Sequence, residues 1–199
     1  MSYDLSLMMN QICIQNGTTL QVISIRQRIL GYGTIQAIVE NCLTLKELDL
    51  SSLYYHPTDS IDILVSKINP KIVKLSITSY KSNFYERPFE ITDDHVEKLV
   101  KRCTNLTTLD LCGYPLLTKN TLRSIIRNLK NTLEKLGVAD CTKITVDDLF
   151  ELKAMPKLRI LTYNCTEMSE FQKRYLKSKM SEFQKLKEQL PHLIFCDWR

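Results

Sequence analysis

Residues 103–129 read CTNLTTLDLCGYPLLTKNTLRSIIRNL, and residues 131–155 read NTLEKLGVADCTKITVDDLFELKAM. Both stretches open on one figure, LTTLDL from Leu106 and LEKLGV from Leu133. In L-x-x-L-x-L the last two apolar positions alternate with period two, as in a strand with one buried face. The period then changes. In TLRSIIRNL, Leu122, Ile125, Ile126 and Leu129 fall on one side of a helix. A strand, a turn and a helix are followed by another strand of the same kind.

Outward from this pair the figure recurs as LQVISI from Leu20, LKELDL from Leu45, IVKLSI from Ile72 and LRILTY from Leu158. The six starts are 25, 27, 34, 27 and 25 residues apart. A near-constant period of this size marks a repeat array. One unit cannot bury its own apolar face, so the units must stack. Helical faces follow most strands: Ile35/Ile38/Val39, Ile61/Leu64/Ile68, Val96/Leu99/Val100 and Leu149/Leu152. Thr92 in ITDDHV and Thr145 in ITVDDL sit where helix N-caps belong.

The expected organisation has three parts. Residues 1–19 form the helix of an incomplete first repeat, with Leu5, Met8, Met9 and Ile12 on its inner side and Gly17 ending it. Residues 20–167 carry the repeats, and residues 168–199 a lengthened helix and a C-terminal closing strand. In that last part the hexapeptide MSEFQK occurs at 168–173 and again at 180–185. Removing one 12-residue copy brings the 35-residue spacing from Leu158 to Leu193 near the usual period. The duplication therefore reads as an insertion in a terminal helix. A basic helix for an acidic partner or membrane surface is the competing reading.

Composition narrows the function. The chain of 199 residues is 44% hydrophobic and 25% charged, which fits one globular domain or one array. Its net charge of +5 is low for a nucleic-acid binder, and no basic–aromatic pattern is visible. No apolar run reaches the ~18 residues that cross a bilayer. The N-terminal residues show neither a secretory signal nor an Arg-rich presequence. A cytoplasmic or nuclear protein is expected. The seven cysteines are odd in number and contain no CxxC. Reduced structural thiols are expected, with Cys42, Cys103 and Cys141 facing the core. Metal ligation is the alternative, but His56, His95 and His192 stand in no ligand spacing with them.

The unit with Cys103, Leu106, Leu109, Leu111, then Cys141, Ile144, Thr145 and Leu149, together with Ile91-Thr92-Asp93, resembles the cysteine-containing class of leucine-rich repeat. That class is typical of F-box/leucine-rich-repeat proteins, the substrate receptors of cullin–RING ubiquitin ligases. The C-terminal FQKLKEQLPHLIFC resembles the end of the repeat domain in that family, where a short helix runs into an L-P-H-L strand. The resemblance implies a leucine-rich-repeat solenoid: a right-handed β-α superhelix with a parallel concave sheet and helices outside. It implies a protein partner on the concave face and the strand-to-helix loops. The family docks to its ligase adaptor through an F-box preceding the repeats, and no F-box is readable in residues 1–19. A small leucine-rich-repeat assembly or coupling factor of a mitochondrial membrane complex is the alternative, and a structural scaffold a third reading.

Two groups of residues are candidates for partner binding. The first is the column expected to point out from the strands: Val22/Ser24/Arg26, Glu47/Asp49/Ser51, Lys74/Ser76/Thr78, Thr108/Asp110/Cys112, Lys135/Gly137/Ala139 and Ile160/Thr162/Asn164. Glu47, Asp49, Lys74, Asp110 and Lys135 are its charged members in the central strands. The second is an aromatic ledge in the loops after the strands, made of Tyr54, Tyr55, Phe84, Tyr85 and Arg87. Aromatic and Arg side chains are common interface anchors. Tyr80 and Tyr114, three residues past their strands, are expected in the core.

No GxSxG, HExxH or GxxxxGK[ST] occurs. The acid pairs Asp93-Asp94 and Asp147-Asp148 stand at helix starts, where they favour the helix dipole in a solvated, structural role. A non-enzymatic chain without cofactor is expected.

Overall fold

A computed structural model describes residues 2–26, 33–51, 60–79, 90–163 and 184–196. Within them helices and strands alternate: α1 (Ser2–Asn16), β1 (Val22–Ser24), α2 (Thr34–Asn41), β2 (Glu47–Asp49), α3 (Ser60–Lys67), β3 (Lys74–Ser76) and α4 (Asp93–Arg102). Then follow β4 (Thr108–Asp110), α5 (Lys119–Leu129), β5 (Lys135–Gly137), α6 (Val146–Leu149) with a 3-10 turn over Phe150–Ala154, β6 (Ile160–Thr162) and β7 (Ile194–Cys196). Residues 184–189, just before β7, are helical.

The seven strands form one parallel sheet in the order β1-β2-β3-β4-β5-β6-β7. Each strand pairs only with its neighbours in sequence, so the sheet is open and solenoid-like. The register is the same at every step. Ile23, Leu48, Leu75, Leu109, Leu136, Leu161 and Phe195 lie side by side across the sheet. The first six are the fourth residues of the six L-x-x-L-x-L figures, and all six are buried. Helices stack in the same order, α1 on α2 through to α5 on α6. The predicted helical faces are buried, with Ile126 half-covered at the edge of its face. Leu186, Leu190 and Leu193 of the closing segment are buried and join the core. Of the duplicated MSEFQK, only the final Gln184 and Lys185 belong to the described residues.

The helix starts are tied down by side chains. At α6, Asp148 Oδ2 accepts from the Thr145 N–H at 2.9 Å and from its hydroxyl at 2.7 Å, and the Thr145 hydroxyl accepts in turn from the Asp148 N–H. This is a capping box. At α4, the Thr92 N–H donates to His95 Nδ1 at 3.1 Å. That bond places the ring proton on Nε2, which lies 3.5 Å from Asp62 on α3.

Three expectations are corrected. Asp93 stands in the first turn of α4 as expected, but its carboxylate is not simply solvated. Its carboxylate reaches the next repeat, accepting from the Thr118 N–H at 2.9 Å, the Thr118 hydroxyl at 2.6 Å and the Thr121 hydroxyl. Thr121 is itself buried. On α1, Met8 and Ile12 face solvent together with Leu7 and Ile14, and the packed side is Ser6, Met9 and Cys13. This helix is apolar nearly all round, so periodicity does not pick its face. The close approach at Gly17 does, because a Cβ there would lie 2.4 Å from the Asn41 carbonyl oxygen. The Leu5 side chain lies outside the described residues. The outward column of strand residues departs from expectation as well.

Asp93 gives a pH-dependent prediction. Burial alone would push its carboxyl up, but the hydrogen bonds from Thr118 and Thr121 outweigh it and hold the group below its ordinary value. The folded state therefore binds that proton more weakly than the unfolded one. Its stabilisation is complete above the unfolded carboxyl value, about 3.9, and is lost as pH falls through the folded one. Asp93→Asn is expected to cost about 1–3 kcal/mol at pH 7. The gap to wild type should narrow in urea unfolding near pH 3. An equal gap at both pH values would show that the charge plays no part.

Candidate functional site

The strand positions on either side of the buried leucine point away from the helices. In the first column stand Val22, Glu47, Lys74, Thr108, Lys135, Ile160 and Ile194, and in the third Ser24, Asp49, Ser76, Asp110, Gly137, Thr162 and Cys196. Over β1 to β4 these two columns, with Lys135 of β5, line a trough of about 530 Å³. Its charged lining is balanced: Arg26, Lys74 and Lys135 against Glu47, Asp49 and Asp110. The five charged residues expected from the sequence are therefore brought together on one face.

Most of these charges are matched within the chain. Lys74 Nζ lies 2.8 Å from Glu47 Oε1 across neighbouring strands. Arg26 Nε pairs with Asp49 Oδ2, and Ser24 Oγ lies 3.5 Å from the same oxygen. The other oxygen, Asp49 Oδ1, accepts the Ser51 N–H at 3.0 Å. The Ser51 and Ser76 hydroxyls share a hydrogen bond of 2.7 Å. Pairs exposed to this degree contribute about 0–1 kcal/mol each to stability. They set a pattern of charge rather than hold the fold.

The outward column is shorter than expected. Cys112, Gly137 and Ala139 are buried, Thr78 is buried at the floor of the trough that it lines, and Arg26 and Ser51 remain at the surface. Each strand keeps strict alternation for only three residues. Beyond it the ladder runs on through bends, with Ile77 N–H donating to Asp110 O, Leu111 N–H to Gly137 O and Gly113 N–H to Ala139 O. The backbone turns at Gly113, whose φ is +92°. The Cys112 sulfur faces inward there and accepts the Ala139 N–H at 3.2 Å. Asn164 lies outside the described residues.

The aromatic ledge of Tyr54, Tyr55, Phe84, Tyr85 and Arg87 also lies outside the described residues, as does Tyr80. Tyr114 is buried, as expected. Two further residues, one in the trough and one buried beneath it, shape its charges. Arg26 supplies the counter-charge of Asp49. Gly137 leaves the space into which Asp110 leans. A glycine inside a strand pattern is the signal for such close approach.

Three core thiols are held in the protonated form. Burial pushes Cys42, Cys103 and Cys141 up to about 12. At neutral pH they are protonated, and it is the thiolate that attacks or ligates. Among the described residues no three His, Cys, Asp or Glu side chains gather as a metal-holding cluster. No helix among them is long and apolar enough to cross a membrane. No protein-family model matches the chain.

Proposed function

We propose that the chain is a non-enzymatic recognition module of leucine-rich-repeat type, which binds a protein partner on a concave strand face. The observation that supports this reading is the trough itself, lined by equal numbers of cations and anions on a repeated strand register. Such a surface suits the mixed charges of a protein. A nucleic-acid groove needs several Arg or Lys in line to meet phosphates. The resemblance to F-box/leucine-rich-repeat proteins extends the proposal to substrate recognition for a cullin–RING ubiquitin ligase, in the cytoplasm or nucleus.

Affinity purification of the full chain from cells, with mass spectrometry, tests it. The expected result is a recurrent protein partner together with cullin and adaptor subunits. A Glu47→Lys/Lys74→Glu variant keeps the ion pair but reverses its direction. It is expected to weaken partner binding about tenfold or more. A partner recovered equally by the variant would place binding elsewhere on the molecule. A partner recovered without cullin or adaptor would reject the ligase, and mitochondrial membrane subunits in their stead would favour the assembly-factor reading.

A further inference from the structure

Asp49 and Asp110 hold equivalent places. Both are the third residues of their strands, separated in the register by Ser76. Both carboxylates accept an N–H from two residues further along, Ser51 to Asp49 at 3.0 Å and Cys112 to Asp110 at 3.2 Å. Around Asp49 the preceding strand completes the site. Ser24 lies beside it, and Arg26, two residues beyond, brings its guanidinium onto Oδ2.

Around Asp110 the same positions are filled differently. Ser76 stands in place of Ser24, and Thr78 in place of Arg26. Thr78 is buried and carries no charge. Among the described residues no cation lies within ion-pair distance of Asp110. Lys135 is diagonal to it in the register and exposed, and it forms no ion pair among the described residues. On the following strand Gly137 leaves room for the carboxylate. A Cβ there would lie 2.2 Å from Asp110 Oδ1. The trough thus contains one carboxylate slot filled from within the chain and an equivalent slot that no cation of the described residues fills.

We propose that Asp110 anchors an arginine side chain of the protein partner, in the way that Arg26 occupies Asp49 within the chain. The proposal deepens the reading of the trough as a protein-binding face and rests on it. A guanidinium suits the slot because its planar fork can meet a carboxylate and a neighbouring hydroxyl together. Ser76 and Thr108 border Asp110 in the trough and supply such hydroxyls. The wall on the other side is Lys135, which disfavours a second cation and so limits how strongly a lone arginine binds.

The test is a titration of the full chain with N-acetyl-arginine amide, followed by backbone amide NMR. N-acetyl-citrulline amide, of the same shape but neutral, is the control. The arginine probe should move the Cys112 and Gly137 amides in a saturable way, and citrulline should not. Asp110→Asn should abolish the shifts, and Lys135→Ala should tighten the probe about two- to fivefold. Equal shifts from citrulline, or none from arginine, would overturn the proposal on the wild-type chain alone, whatever the variants' folding. Shifts that persist in a folded Asp110→Asn chain would also overturn it. The titration needs no partner, so its outcome is separate from the purification. A recurrent trough-dependent partner with no arginine response would sink the anchor and leave the module standing.

Discussion

Gly113→Ala is expected to lower stability by about 3 kcal/mol or more. The residue sits at φ +92°, where an L side chain costs about 1–2 kcal/mol. Space adds to that cost. A Cβ at Gly113 would lie 2.0 Å from the Ser79 carbonyl oxygen and 2.9 Å from its carbonyl carbon. Both are backbone atoms and cannot rotate away. The segment is also fixed by its own bonds, the Gly113 N–H to Ala139 O at 2.7 Å and the Ser79 N–H to Cys112 O at 2.9 Å. Relieving the clash means lengthening at least one of them, at about 1 kcal/mol each. The chain ends of β3, β4 and β5 therefore move together or not at all. In a thermal melt followed by circular dichroism, a chain of this size should lose about 6–12 °C. A variant melting within about 2 °C of wild type would show that the turn has slack.

Leu109→Ala is expected to cost about 2–5 kcal/mol. Leu109 is fully buried in β4, the middle strand, with Leu75 and Leu136 beside it in the register. Close packing leaves little freedom to collapse around the lost atoms. In a stacked array, stability is a sum of units and of interfaces between neighbours. Leu109 belongs to two such interfaces. The variant should therefore lose amide-exchange protection on both sides, in 74–79 and in 133–141 as well as in β4. Loss confined to 106–111 would mean that each repeat is stable on its own.

The strands and their register were legible because the L-x-x-L-x-L figure encodes two things together. Its internal alternation marks a strand, and its recurrence marks which strands must align. Leu48, Leu75, Leu109 and Leu136 carry both messages. The helix faces and the capping roles of Thr92 and Thr145 were legible for the same reason, since each follows from spacing within one unit. Contacts between units were not. Asp93 reads as a first-turn acid until Thr118 and Thr121, 25 and 28 residues on, are seen to reach it. The burial of Cys112 and Ala139 goes with backbone bonds to the next repeat, which side-chain periodicity does not record. The face of α1 was misread because its apolar residues lie all round it. Of the candidate site, the six charged residues of the trough are legible as neighbours from the strand column alone. Gly137 stands in the expected outward column, but its closeness to Asp110 is a contact between repeats that spacing within one unit does not record.

The strict next-neighbour order of the strands has a kinetic consequence. No pairing in the sheet joins strands more than about one repeat apart along the described chain. Closing such a loop costs little entropy compared with the long-range pairings of most parallel sheets. Rates of folding follow the mean separation of contacting residues. This chain should therefore form its sheet by growth from any adjacent pair of strands, each completed step presenting the edge on which the next is laid.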